Sequence, residues 1–211
     1  MSGVEFRGFP KIARLNRDIT ISEKIDGTNA AVGIMPISEA IAAGVVSTDD
    51  AILAIVGTAD GDMVVYAQSR TRTLRIGADN FGFAGWVLAQ ADDLVATLGP
   101  GLHFGEWWGM GIQRGYGLAR RCFSLFNTHR WAEVDLSGVI GLDVVPILYS
   151  GPFSEFWVHA SLDLLRLGGS RAATWFMHPE GIVVFHTAAN VAFKVTLEHD
   201  DVPKSLAAVS R

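Results

Sequence analysis

The reading of this chain turns on Ile19-Thr20-Ile21-Ser22-Glu23-Lys24-Ile25-Asp26-Gly27-Thr28-Asn29-Ala30-Ala31-Val32-Gly33-Ile34-Met35. Ile19 to Ile25 and Ala30 to Met35 read as strands, and Asp26-Gly27-Thr28-Asn29 between them is turn chemistry. The stretch therefore predicts a hairpin with glycine at the bend. The same signal recurs where Ile52–Val56 and Met63–Gln68 flank Ala59-Asp60-Gly61. Further strands are predicted at Leu102–Trp108, Cys122–Phe126 and Leu142–Leu148. Ile182–Phe185 and Val191–Val195 pair across Thr187-Ala188-Ala189-Asn190.

Helical spacing is found in two places. Phe83, Trp86, Val87, Leu94 and Leu98 share a face within Asp79–Leu98, with Asp79 able to cap and Gly99-Pro100 able to stop the helix. A second helix runs from about Ser154 to Leu167 and is closed by Gly168-Gly169, while Ser38–Asp50 is ambiguous between a short helix and a loop. Strands dominate and do not alternate with helices. The expected fold class is α+β, mainly antiparallel sheets with a few helices, rather than a doubly wound parallel sheet.

A chain of 211 residues predicts one domain, residues 1–211, with a core large enough to need no disulfide or metal staple. Hydrophobic residues make up 49% and charged residues 18%, which excludes disorder. Gly, Asp or Arg interrupts every apolar run before membrane-spanning length, and Met1–Pro10 has no apolar signal core. The single cysteine, Cys122, excludes an intramolecular disulfide and a cysteine-cluster zinc site, and fits a reducing cytoplasm. The net charge of −5 counts against a protein that coats nucleic acid non-specifically, but leaves room for a local basic groove. Arg70, Arg72 and Arg75, with Arg114, Arg120 and Arg121, are the candidates for that groove. The only lysines are Lys11, Lys24, Lys194 and Lys204, so amine chemistry has four candidates.

No phosphate-binding Gly-Lys-Ser/Thr loop, His-Glu-x-x-His or Gly-x-Ser-x-Gly is present, and the histidines lack metal-ligand spacing. Gly109-Met110-Gly111-Ile112-Gln113-Arg114 begins like a dinucleotide fingerprint but has Arg at the third glycine position. Six other segments occur in a telling order. They are Glu23-Lys24-Ile25-Asp26-Gly27-Thr28-Asn29, Ser69-Arg70, Phe104-Gly105-Glu106-Trp107, Phe123-Ser124-Leu125-Phe126 with Glu180-Gly181-Ile182-Val183-Val184, and Phe193-Lys194-Val195-Thr196.

In that order they resemble the motifs of the covalent nucleotidyltransferases, which include DNA ligases, RNA ligases and messenger-RNA capping enzymes. DNA ligases and capping enzymes generally carry Arg five residues after the nucleophilic lysine, whereas here Asn29 stands there. Lys-x-x-Gly-Thr-Asn is similar to the RNA ligase 2-like branch. So are Phe104-Gly105-Glu106 with the following Gly-x-Gly-Ile-Gln, and the acidic-aromatic start Asp79-Asn80-Phe81. The resemblance spans about Ile19 to Thr196 and implies an ATP-grasp-like adenylyltransferase domain acting as an ATP-dependent RNA ligase. The implied partners are ATP, Mg2+ or Mn2+, and RNA with 5′-phosphate and 3′-hydroxyl ends, nicked duplex RNA above all. A monomer is expected. The alternatives are a DNA ligase core or capping-type guanylyltransferase, or a non-catalytic nucleotide- or RNA-binding module.

The chemistry needs these residue types. A lysine with ordinary pKa near 10.4 is only about 0.04% neutral at pH 7, so a nucleophilic amine needs cationic neighbours or a divalent ion. The resemblance makes Lys24 the nucleophile. It implies that Glu106 accepts from the ribose hydroxyls, and that Phe126, rather than Phe123, stacks on adenine. It gives Arg70 to phosphate, Glu180 and Asn29 to the metal, and Lys194 to the α-phosphate. Glu23 and Ile25 flank the nucleophile near the adenine, Glu23 through its backbone, so its side chain is expected to matter little. Trp107 and Trp108 are open to either stacking or core packing. Two departures stand out. The family's Lys-x-Lys is Lys194-Val195-Thr196 here, with Lys204 or an Arg as a substitute charge, and Leu197–Arg211 leaves no room for an accessory or OB domain.

Overall fold

The computed structural model describes residues 6–44 and 51–198. Strand β1 is Asp18–Lys24 and β2 Thr28–Pro36, followed by helix α1 (Ile37–Ala42). Strands β3 (Ile52–Thr58), β4 (Gly61–Ser69) and β5 (Thr73–Leu74) precede helices α2 (Phe83–Ala89) and α3 (Ala91–Leu98). Then come β6 (Gly101–Gly109), β7 (Arg121–Leu125), α4 (Thr128–Trp131), β8 (Leu142–Val144) and β9 (Ile147–Pro152). Helix α5 (Glu155–Gly168) and the pair β10 (Gly181–His186) and β11 (Val191–Thr196) complete the described chain. This is the expected α+β class. Every strand pair is antiparallel except β7 with β8.

The strands form two sheets. One has the order β11-β10-β1-β9, the other β3-β4-β2-β6-β7-β8 with β5 on β4. Strands β1 and β2 therefore lie in different sheets, and the expected hairpin between them does not form. Side chains satisfy the link in place of a partner strand. The Tyr116 hydroxyl accepts from Asp26 N at 2.8 Å, and Glu106 Oε1 accepts from Gly27 N at 3.1 Å. Glycine is required at 27 by close approach, because a Cβ there would lie 2.5 Å from Trp107 O and 2.7 Å from Trp108 Cβ.

The chain crosses back between the sheets near Pro146, so the single strand expected over Leu142–Leu148 is two. Proline has no N–H to give a ladder, and its carbonyl instead accepts from Glu23 N at 2.9 Å. The helix expected over Asp79–Leu98 is also two, parting at Gln90, where φ is −114°. Asp79 does cap the start, its carboxylate oxygens accepting from Gly82 N and Ala84 N, both at 3.1 Å. Of Ser38–Asp50, residues 45–50 lie outside the described residues, as does Lys204.

Three cores hold the sheets. Helices α2 and α3 bury Phe83, Val87, Leu94 and Leu98 against Val32, Val65, Trp107, Phe123 and Leu125 of the larger sheet. Helix α5 buries Leu162 and Leu165 against Ile19, Ile21, Ile182 and Val184 of the smaller one. A third cluster, Ile25, Trp108, Tyr116, Val145 and Ala173, fills the space where the chain passes between them. Among the described residues no helix is long and apolar enough to cross a membrane.

Candidate active site

The antiparallel register of the larger sheet sets one row of side chains. Asn29 on β2 lies directly opposite Glu106 on β6, and Glu106 opposite Ser124 on β7. Ala30 pairs with Ser69, so Arg70 falls beside Asn29 just past the end of β4. Directly opposed residues share a face. Arg70, Asn29, Glu106 and Ser124 thus stand side by side on the face away from α2 and α3. In the smaller sheet Lys24 is level with Gly181, and Gly181 with Thr196.

These rows meet in a cleft of about 490 Å³ lined by Lys24, Asp26, Thr28, Asn29, Arg70 and Glu106, with Arg72, Asn80, Gln113 and Glu180 around them. The volume suits a nucleotide-sized ligand. Lys24 Nζ is ion-paired with the Glu180 carboxylate, and both are largely shielded, with side chains 22% and 12% exposed. Burial pushes the Glu106 carboxyl up to about 7, against the pull of Lys24, its hydrogen bond from Gly27, and Arg70.

Lys24, Asn29, Arg70, Glu106 and Glu180, each expected from the sequence, line this one cleft. Others do not. Ile25 is buried in the third core cluster. Glu23 is 1% exposed. Contrary to expectation, its side chain is heavily used: it accepts from Ser170 Oγ at 2.6 Å, Arg171 N at 2.7 Å and Ala172 N at 3.0 Å. Trp107 and Trp108 are both core residues, Trp108 Nε1 donating to Ser124 Oγ at 2.9 Å. Phe123 is fully buried among Phe83, Trp86 and Trp107, which removes it as a base-stacking residue. Phe126 is exposed just beyond β7, its N–H donating to Phe104 O at 3.0 Å. Lys194 is exposed on β11 opposite Val183, on the same face as Lys24, two strands across and two residues along, a separation of about 12 Å.

The sequence reading missed the residues that lock the cleft together. Arg114 Nε donates to Asp26 Oδ2 at 3.0 Å while its Nη1 donates to His178 O at 2.9 Å, tying the two sheets. Asn80 Nδ2 donates to Thr28 Oγ1 at 2.6 Å. Asn80, Gln113 and Arg114 sit inside segments already singled out, Arg114 as a basic-groove candidate rather than a bridge, whereas Tyr116 carries no local signal. The expected basic groove divides accordingly. Arg70 and Arg72 line the cleft, whereas Arg121 holds Phe81 O and Met110 O at 2.8 and 3.0 Å.

The cleft's donors are the oxygens of Glu180, Glu106, Asn29 and Asp26, which suit a hard divalent cation. Among the described residues no three His, Cys, Asp or Glu side chains converge as a ready-made metal cage. Such a cation would complete its shell with water or with oxygens of a bound ligand.

The family described as RNA ligase matches residues 17–196. No curated protein matches the chain. Among solved structures the chain is similar to an archaeal ATP-dependent RNA ligase, with 16% identity and a TM-score of 0.49. The match covers 90% of this chain and 48% of that one, so this chain spans about half the length of that ligase.

Proposed function

The chain belongs to the RNA ligase family, and we propose from this that it is an ATP-dependent RNA ligase working through a covalent lysyl-AMP. The observation that carries the reading is the meeting, in one cleft, of Lys24 and Glu180 from one sheet with Arg70, Asn29 and Glu106 from the other. The Lys24 amine loses its proton and attacks the α-phosphorus of ATP. A P–N bond forms, the P–O bond to pyrophosphate breaks, and pyrophosphate leaves. AMP then passes to the 5′-phosphate of RNA, and a 3′-hydroxyl displaces it to form the phosphodiester. Splitting one displacement in this way gives easier steps.

Glu106 receives the ribose hydroxyls. Arg70 lies on the same face and meets phosphate, bidentate where geometry permits. Lys194 and Arg72 add positive charge against the departing pyrophosphate. Phe126, with Phe104 beside it on the Glu106 face, offers an exposed aromatic surface to adenine. Glu180 and Asn29 would hold Mg2+ or Mn2+ together with phosphate oxygens, and the ion would supply charge neutralisation at the α-phosphate. Nicked duplex RNA is the proposed substrate.

Incubation with α-labelled ATP and magnesium tests this. Wild type takes a covalent label, K24A takes none, ATP is preferred to GTP, and nicked RNA to nicked DNA. An unlabelled wild type, or full label on K24A, refutes the proposal.

A further inference from the structure

The loop between α5 and β10 carries a side chain that neither the core nor the cleft uses. Trp175 is 95% exposed, more than any other large apolar side chain among the described residues. Its φ is +73°, in the left-handed region that a bulky residue enters only against its steric preference. Such a conformation persists where the surroundings over-determine it, and here they do. Ser170, Arg171 and Ala172 are bound to the Glu23 carboxylate. Phe176 O accepts from Ser170 N at 2.8 Å, and the Phe176 ring lies 4.5 Å from that of Tyr116. Arg114 holds His178 O. The loop is therefore fixed to Glu23, immediately before Lys24, and through Arg114 and Tyr116 to Asp26, just after it.

Trp175 lies five residues from Glu180, so at most about 19 Å of chain separates the two Cα atoms. It is absent from the cleft lining, so it is not placed to hold the nucleotide on which Lys24 acts. The loop 169–179 contains Arg171 and His178 and no acidic residue, in a chain whose net charge is −5. That local balance favours a polyanion over an apolar protein face.

We propose that Trp175 is a stacking platform for a base of the RNA strand lying across the mouth of the cleft. The contact is made after Lys24 has taken AMP and is not needed for that step. This inference rests on the RNA ligase reading and adds a binding site to it. Every base offers a π-face, so the platform is indifferent to sequence.

The test compares wild type, W175A and W175F in two assays: covalent labelling by α-labelled ATP without RNA, and affinity of the adenylylated enzyme for nicked duplex RNA with a 5′-phosphate. Labelling is expected to be the same in all three. W175A is expected to bind nicked RNA about 5- to 150-fold more weakly, with W175F recovering most of the loss. RNA affinity unchanged in W175A overturns the proposal and leaves Trp175 to a protein contact. A parallel loss of labelling and RNA affinity also overturns it, because it marks a merely structural role. A wild type that takes label yet binds no nicked RNA overturns it as well. A wild type that takes no label refutes the RNA ligase reading itself, which distinguishes the two failures.

Discussion

Glu106→Gln should make this protein more stable and less active, and the structure gives the size and the pH window. Burial raises the Glu106 carboxyl from 4.5 to about 7 even though Lys24, Arg70 and the Gly27 N–H all favour the ionised form. In the unfolded chain the group titrates normally. Below about pH 4.5 both states hold the proton and the site costs nothing. Between pH 4.5 and about 7 the unfolded chain gives up this proton while the folded protein keeps it, so stability falls as pH rises through that window and levels off once the folded carboxyl also ionises. At about 1.4 kcal/mol per tenfold, the full cost reached above pH 8 is about 3 kcal/mol. Glutamine keeps an oxygen for Gly27 N–H and carries no charge. The variant should therefore melt about 6–12 °C above wild type at pH 8.5, and the gap should close on acidification toward pH 4.5. Labelling by ATP should weaken, since one acceptor for the ribose is replaced by an amide nitrogen. Thermal unfolding across pH 4.5–8.5 reads the first effect and the covalent label the second. A variant no more stable than wild type at pH 8.5, or a gap that widens in acid, refutes the reasoning.

Three further variants separate side chains whose roles the sequence leaves open. Glu23→Ala strips the acceptor from Ser170 Oγ, Arg171 N and Ala172 N in a buried site, and should cost at least about 3 kcal/mol. Urea unfolding would show this as a lower midpoint, and an unchanged midpoint would mean the loop is held by other contacts. Phe123→Ala should cost about 3–5 kcal/mol because it empties a site in the aromatic core. Phe126→Ala should leave the melting temperature nearly unchanged and raise the KM for ATP about 5- to 150-fold. If Phe126→Ala leaves that KM unchanged, adenine stacks elsewhere.

Much of the fold was legible because it rests on local rules. The β3–β4 and β10–β11 hairpins follow from strand runs flanking short polar turns. Helix α5 begins at Ser154, whose Oγ accepts from Phe156 N at 3.2 Å, and its last turn closes on Gly169. What failed were the two crossings between sheets. Asp26-Gly27 has the chemistry of a tight turn, and periodicity sees only that strand follows strand. Whether the second strand folds back on the first or leaves for another sheet is decided by Tyr116 and Glu106, some 80 to 90 residues away. Pro146 carried a signal that could have broken Leu142–Leu148 at the right place, since its ring denies the ladder a donor.

The failed hairpin is also the reason the candidate site is one cleft. Had β1 and β2 paired, Lys24 and Asn29 would flank one turn at the rim of one sheet. Because they part, the six residues from Lys24 to Asn29 span the gap between the two sheets, and the third core cluster fills that passage with Ile25 and Trp108. Each sheet then brings what its register dictates: Lys24 beside Glu180 on one side, the Arg70–Asn29–Glu106 row on the other. The departure at Thr196 gains meaning from the same register. Thr196 is level with Gly181 and thus with Lys24, so the side chain at the position of the expected second lysine stands at the height of the proposed nucleophile. Lys194, two residues along the same face, is farther from the amine, and under the proposed function the neutralising charge would shift toward Arg70 and Arg72 across the cleft. An arginine pair on the opposite sheet can assist the phosphates only while the two sheets keep their spacing. The Arg114 bridge from Asp26 to His178 O fixes that spacing.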